Sequence, residues 1–342
     1  MSNATRNGLL VMVCLVMGAA GAVGQQKLAQ TGMKFLNVGM NARYTALGQG
    51  GTALETNSSA MFYNPASMGR QKETFSFSFG NTQWIADINH YYASLAFSPA
   101  EGDYGVFGVT IQSVDYGTII ATIRDPDPNG KGFFDAGDIP GLDIKPSALM
   151  LGVGYARAVS EKFSFGGNIK YVTQNLGTAV TDTGTGLVKV GNSLGVPAFD
   201  FGILYHTGFK SLSFGMTIRN FSREVRFVNE NFQLPLIFKV GMAMNLMDLV
   251  DVDRETHSLL VTIDADHPRD FQEQVRVGGE YEFMKTIAVR AGYVSGTDEE
   301  GVSLGVGVRH ELGSTPMQFD YAYTPFGILG NVHRFSFQFA VK

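Results

Sequence analysis

From Phe75 to the C-terminus, apolar and small polar side chains alternate residue by residue, and the pattern returns about a dozen times. In GVSLGVGVRHEL, Val302, Leu304, Val306 and Val308 fall on one face of an extended chain, with Ser303, Gly305, Gly307 and Arg309 on the other. HRFSFQFAVK repeats the arrangement, setting Phe335, Phe337, Phe339 and Val341 against Arg334, Ser336, Gln338 and Ala340. Every such segment must hide one face. Beyond the N-terminus no apolar run reaches the roughly 20 residues of a spanning helix, so any membrane crossing falls to strands. The pattern therefore predicts an all-β fold: a transmembrane antiparallel β-barrel of about 14 strands whose greasy face meets lipid.

The N-terminus supplies the export route. MSNATRNGLLVMVCLVMGAAGAVGQQ has a short polar start with Arg6, an apolar run from Leu9 to Val23, and small residues Ala22 and Gly24 ahead of Gln25. This layout predicts a signal peptide over 1–24 with cleavage after Gly24. The single cysteine, Cys14, lies inside the apolar run after the bulky Val13, which argues against a lipoprotein site. A mature chain without cysteine is held by its sheet, not by disulfides. The formal charge of -5 and the scattered Lys and Arg exclude nucleic acid as a partner class.

Residues 25–72 lack the two-residue alternation. Gly39, Gly48, Gly50 and Gly51 interrupt them, and Ala, Met and Leu replace β-branched residues. They predict short helices and turns, a compact plug-like segment in or against the barrel mouth, with the barrel over 73–342. Candidate strands lie near 74–79, 88–97, 105–115, 147–158, 163–174, 197–206, 211–221, 235–245, 257–265, 274–283, 286–295, 301–311, 317–323 and 332–341. With the N-terminus starting in the periplasm, the outward loops are 80–87, 116–146, 175–196, 222–234, 266–273, 296–300 and 324–331. The inward turns include VSEK, TGFK and FMK, so long and short connections alternate with the parity of an outer-membrane barrel. Residues 245–256 break the parity, being an inward connection long enough for a short helix.

Alternation also assigns the lumen. Asn168, Lys170, Arg276, Glu280, Arg309, Asp320 and Arg334 point inward, where charge is tolerable only in a wet, paired or plugged interior. These residues either line a route or simply pair with one another. Aromatics at strand ends, among them Trp84, Tyr91, Tyr92, Tyr116, Tyr171, Tyr205, Tyr281 and Tyr321, fit interfacial girdles. The Phe-rich last strand fits a C-terminal assembly signal, although Lys342 follows Phe339 in place of a terminal aromatic.

Between Gly39 and Gly69 the chain reads ARxxxLGxGGxA and then SSAxxxNPA, carried by Ala42, Arg43, Leu47, Gly48, Gly50, Gly51, Ala53, Ser58, Ser59, Ala60, Asn64, Pro65 and Ala66. This resembles the mature start of PorV/PorQ family proteins and, more distantly, of FadL-type long-chain fatty acid transporters. The resemblance implies a FadL-like barrel of fourteen strands with its N-terminal segment in the lumen. It also implies an accessory role in type IX secretion, in which cargo proteins are collected at the outer-membrane translocon. On physical grounds, Gly48, Gly50 and Gly51 allow close backbone approach and Asn64 before Pro65 fixes a turn, so Ala42, Arg43, Leu47, Gly48, Gly50, Gly51, Asn64, Pro65 and Ala66 read as plug anchors in preference to ligand contacts.

In loop 116–146, RDPDPNGKGFFDAGD alternates Asp125, Asp127 and Asn129 before Gly130, with Asp135 and Asp138 further on. The spacing resembles the start of an oxygen-rich Ca2+ loop, but Ala136 stands where an EF-hand has its bidentate Glu, and a solvated turn explains the same letters. No other cofactor is expected. GVSLG at 301–305 matches a nucleophile elbow only in letters, since it lies inside an alternating strand. The six histidines have no metal-ligand spacing. The chain is therefore read as non-enzymatic.

Two functions remain. In one, outer loops bearing Phe133, Phe134, Ile139, Leu142, Phe227 and Phe232 among charges dock secreted cargo proteins or a larger translocon. In the other, Met61, Phe62, Tyr63 and Met68 line an apolar pocket of a FadL-like channel for hydrophobic ligands, or else are ordinary plug packing.

Overall fold

The computed structural model describes residues 31–120, 122–124, 133–135, 144–182, 187–227, 230–298, 300–313 and 315–342. In chain order the strands are β1 (Phe75–Gln83), β2 (Asn89–Phe97), β3 (Val106–Asp115), β4 (Thr122–Arg124), β5 (Phe133–Asp135), β6 (Ser147–Ala158), β7 (Phe163–Asp182), β8 (Leu187–His206), β9 (Ser213–Phe221), β10 (Val225–Phe227), β11 (Glu230–Phe232), β12 (Ile237–Asn245), β13 (His257–Pro268), β14 (Gln274–Phe283), β15 (Ile287–Ser295), β16 (Val302–Leu312), β17 (Thr315–Pro325) and β18 (Asn331–Val341).

Fourteen of these form one closed antiparallel barrel, and the seam is β1 against β18, running from Phe75 opposite Val341 to Gln83 opposite His333. Closure leaves no sheet edge within the lipid-facing wall, which is what allows strands to exist in hydrocarbon. β4 with β5 and β10 with β11 are separate hairpins in the long outward connections. The alternation read from the sequence sets the faces. On β3, Phe107, Val109 and Ile111 point out while Thr110, Gln112 and Val114 are buried inside. On β16, Val302, Leu304, Val306 and Val308 point out and Ser303 points in.

Two sequence expectations change. The outward loop drawn over 175–196 is largely strand: β7 and β8 run on past the barrel wall, with a register irregularity between Asn175 and Thr178. Residues 176–182 alone extend the hairpin by ~24 Å at ~3.4 Å per residue. Tyr92 is not a girdle residue, because its position on β2 faces inward, where its hydroxyl accepts from Asn41 Nδ2 at 3.1 Å. The connection over 245–256 does contain a short 3-10 turn, Leu246–Leu249.

Residues 31–72 run through the lumen from one end to the other. They enter at the end carrying the long connections, where Gly32 N–H donates to the Gln233 carbonyl at 3.0 Å. They leave at the opposite end, where Ala158 N–H donates to the Gly69 carbonyl at 3.2 Å just before β1. Between these points lie a 3-10 turn (Lys34–Asn37), the five-residue helix α1 (Ala42–Ala46), and two more 3-10 turns (Ser58–Phe62 and Pro65–Met68). Their apolar side chains, with inward residues of the wall, form the molecule's core.

Candidate functional site: the plugged lumen and its outer vestibule

A segment of short turns leaves many backbone groups unpaired, and in a closed lumen the wall must satisfy them. Asn41 begins the work locally: its Oδ1 accepts from Arg43 N at 3.0 Å, capping α1. One oxygen of Asp264 on β13 then accepts Gly51 N at 2.9 Å, Thr52 N at 2.9 Å and Thr52 Oγ1 at 2.7 Å. Asn64 Nδ2 donates to the carbonyls of Thr52 at 2.7 Å and Ile203 at 3.0 Å, while its Oδ1 accepts Ala66 N at 3.1 Å. From the wall, Arg276 Nη1 reaches the Gly48 carbonyl at 2.9 Å, Arg334 Nε the Gly39 carbonyl at 3.1 Å, and Asn168 Nδ2 the Met61 carbonyl at 2.8 Å.

The wall also makes room sterically. A Cβ on Gly215 would overlap the Thr52 carbonyl, and one on Gly292 the backbone of Gly48. Both glycines sit at inward positions of strands that otherwise tolerate side chains. Gly48 itself adopts φ 66°, a left-handed conformation that other residues rarely accept.

Arg43 ties the plug to the wall by charge. Its Nε meets Glu280 Oε2 at 2.8 Å and its Nη2 meets Oε1 at 2.6 Å, a bidentate fork. Glu280 also pairs with Arg290, and Arg290 Nη1 reaches Asp320 Oδ1 at 2.8 Å.

The sequence-selected residues fall into place unevenly. Ala42, Arg43, Leu47, Gly48, Gly50, Gly51, Asn64, Pro65 and Ala66 all lie in the plug, and Ala42 packs with Ala46 and Ala322 of β17. Met61 and Met68 are buried with Ala60, Ala96, Val106 and Ala156. Phe62 sits edge-on to Tyr92 at 5.2 Å, and Tyr63 stacks on Tyr44 at 3.8 Å. All four are packed in the interior, Met61 and Met68 in one cluster and Phe62 and Tyr63 in another, and none of them lines the outer cavity. Asp125, Asp127, Asn129, Ile139 and Leu142 lie outside the described residues; Asp135, Phe133 and Phe134 belong to β5, and nothing further is placed there. Phe227 and Phe232 are half-buried on the β10–β11 hairpin.

The cavity, of about 680 Å³, lies at the outer end, floored by Met33, Lys34, Phe35, Asn37, Val38 and Gln49 of the plug. Its volume is within the range of small-molecule sites. Phe35, Val38, Trp84, Ile88, Phe271 and Phe326 give it apolar walls, and Lys239, Asp266, Gln274 and Arg276 a polar side. Lys239 Nζ and Arg276 Nε both pair with Asp266, at 2.9 and 2.5 Å. Aromatic character alone would put Trp84 in a girdle; it stands instead against Phe326 at 4.8 Å, under the Arg334 guanidinium. Lys239, Asp264, Asp266 and Arg290 escape the sequence reading, although each is a charge at an inward strand position, the same signal that marks Arg276 and Glu280. Around the rim, Ile119, Ile120, Leu176, Ile328 and Leu329 are exposed apolar side chains.

Comparison with known proteins adds a family and a fold. The family model for the type IX secretion system membrane protein PorP/SprF matches residues 56–339. No curated protein matches the chain. Among solved structures, the toluene transporter TbuX of Ralstonia pickettii is 14% identical with a TM-score of 0.56, over 88% of this chain and 97% of that one. The P. putida toluene transporter TodX is 11% identical with a TM-score of 0.53, over 88% and 96%. The CymD monoaromatic hydrocarbon channel is 13% identical with a TM-score of 0.52, over 88% and 96%. At these identities the likeness shows the fold, a FadL-like outer-membrane barrel.

Proposed function

Because the chain belongs to the PorP/SprF family of type IX secretion system membrane proteins, we propose that it is a non-enzymatic accessory barrel of that system, binding exported proteins at its outer end. The observation that carries this reading is the pairing of a filled lumen with a projecting, apolar-studded rim. A lumen occupied by residues 31–72 has no width for a folded protein, so a secretion role must be exercised on the outside. The β7–β8 hairpin stands clear of the wall, and Ile119, Ile120, Leu176, Ile328 and Leu329 offer apolar contact among polar neighbours. The N-terminal motif from Ala42 to Ala66 supports the finer reading of a PorV-like shuttle that hands cargo from translocon to surface machinery.

Deleting the gene tests this: exported proteins bearing C-terminal sorting domains should accumulate in the periplasm, and restoring the chain with the rim residues replaced by Ser should fail to rescue them. Unchanged secretion in the deletion strain ends the proposal. A second reading, a FadL-like channel for hydrophobic small molecules, is favoured by the apolar walls of the outer cavity around Trp84, Ile88 and Phe326. Lipid extraction and mass spectrometry of the protein purified from native membranes would identify such an occupant, and an empty cavity together with normal uptake of apolar compounds in the deletion strain would remove this reading.

A further inference from the structure

The inward faces of β14, β16, β17 and β18 can be read from the outer end to the periplasmic end as four successive layers. On β14, Gln274 and Arg276 line the outer cavity, Gly278 sits against Leu47, Glu280 holds Arg43, and Glu282 pairs with Arg309 at 2.9 Å. On β16, Gly305 faces Ala46 and Gly307 faces Asp320 and Arg290; Arg309 and Glu311 then line a second cavity. On β17, Ala322 contacts α1, Asp320 joins the charge layer, and Gln318 and Pro316 line that second cavity. On β18, Ser336 Oγ accepts Ala42 N at 3.3 Å, and Gln338 and Ala340 lie below it in the same cavity. This lower cavity, about 400 Å³, is bordered by the exposed Glu311 and Lys342 at the periplasmic end.

On this side of the barrel, therefore, the two cavities are separated by one turn of helix and one layer of charge. The layer comprises Arg43, Glu280, Arg290 and Asp320, two positive and two negative. Glu280, Arg290 and Asp320 belong to the rigid wall. Within the layer Arg43 alone belongs to the plug, on a five-residue helix that meets the wall through Ala42 and Ala46 against Ala322 and Gly305, while Tyr44 stacks on Tyr63 within the plug. Small residues give α1 little apolar hold on this wall, so the bidentate Arg43–Glu280 pair is its principal attachment to the wall, and Tyr44 anchors it on the plug side only.

We infer that the β14–β18 side of the lumen is a gated aqueous path for small ions, with α1 as its bolt and the Arg43–Glu280 fork as its latch. Withdrawal of α1 joins the two cavities through a constriction lined by Glu280, Arg290 and Asp320. The charge left in that ring sets the selectivity. With Arg43 gone, two carboxylates face one guanidinium and cations pass preferentially. With Glu280 neutralised, two guanidiniums face one carboxylate and anions are favoured.

The test is single-channel recording of the full-length protein in planar bilayers under a KCl gradient. Wild type should be closed almost throughout. Arg43→Ala should raise the open time at least tenfold with a reversal potential on the cation side. Glu280→Gln should also open, with the reversal potential displaced to the anion side. Arg43→Lys, which keeps the charge but loses the fork, should open more than wild type and keep no strong preference. Heat-modifiable mobility confirms that each variant is a folded barrel; if Arg43→Ala does not fold, the sign obtained with Glu280→Gln and the opening of Arg43→Lys decide. A steadily open wild type, folded variants that stay silent, or reversal potentials of the same sign for both neutralised variants overturn the inference.

Discussion

Replacing Asp264 by Ala removes the acceptor around which the Gly51–Thr52 turn of the plug is built. Three donors converge on a single carboxylate oxygen, two backbone N–H groups at 2.9 Å and a hydroxyl at 2.7 Å. All of the partners are buried, so water does not replace the lost acceptor at once. A buried donor left without a partner costs about 1–3 kcal/mol, which for three donors sets an upper bound near ~9 kcal/mol. Relief of the carboxylate's own burial and partial entry of water offset much of that, leaving about 3 kcal/mol against plug docking. That figure is roughly a hundred-fold in the equilibrium between docked and released plug. Asp264→Asn keeps a neutral acceptor of the same shape and should lose only about half as much, since charge-assisted bonds are about twice as strong as neutral ones. Amide hydrogen exchange in detergent micelles reads the result directly. The Gly51 and Thr52 amides should exchange about a hundred-fold faster in Asp264→Ala, while the ladders of β1 to β3 on the far wall keep their protection. Exchange within twofold of wild type at Gly51 and Thr52, or an equal loss of protection in the far strands, refutes the account of how the plug is held.

Three further outcomes rest on the same geometry. Gly215→Val places methyl groups on the Thr52 carbonyl and should weaken docking by about 1–3 kcal/mol or more; limited proteolysis should then cut within 50–72 while the heat-modifiable barrel persists. Asn64→Ala strips the cap from the Pro65–Met68 turn and two donors from the Thr52 and Ile203 carbonyls, so the thermal unfolding midpoint should drop, consistent with about 1–2 kcal/mol. Val306→Arg puts a charge on the lipid face of β16 and should cost about 2–4 kcal/mol in urea unfolding from phospholipid bilayers, whereas no loss would mean that this face does not meet hydrocarbon.

The barrel is legible in the sequence because a period of two survives any detail of packing. Phe107, Val109 and Ile111 alternate with Gly108, Thr110 and Gln112 whether the lumen is empty or full, and each of the fourteen candidate strands has a counterpart in the closed sheet. The β7–β8 extension escapes notice for the complementary reason. Beyond the wall a strand has no need of one apolar face for lipid, so the letters TAVTD and LVKVG carry no obligatory contrast, and Gly177 and Gly195 read as loop. Trp84 shows another limit: aromatic character near a strand end is compatible with a headgroup girdle or with a cavity wall, and only the direction of the side chain separates them. The depth of the plug is hidden as well, since Met61, Phe62, Tyr63 and Met68 have the composition of a ligand pocket and of a packed interior alike.

A signal for that depth does exist in the strands rather than in the plug. Gly166, Gly202, Gly215, Gly241, Gly278, Gly292 and Gly305 occupy inward positions on seven different strands, and each has a plug or wall atom where its Cβ would stand. An open, water-filled lumen has no steric reason to exclude side chains at so many inward sites. Glycine in a strand interior is unfavourable and recurs where another backbone approaches closely. The charged residues beside them complete the logic. A chain of short turns such as residues 31–72 presents carbonyls and N–H groups at irregular heights, which an apolar wall cannot satisfy. Arg276, Arg334, Asn168 and Asp264 are spaced to meet those groups, so inward polar and charged residues report an occupied lumen as readily as a conducting one. In a barrel sequence, inward glycines interleaved with inward charges therefore mark the footprint of a plug, and the charge layer around Glu280, set between two cavities without lining either, is the level at which the proposed path crosses that plug.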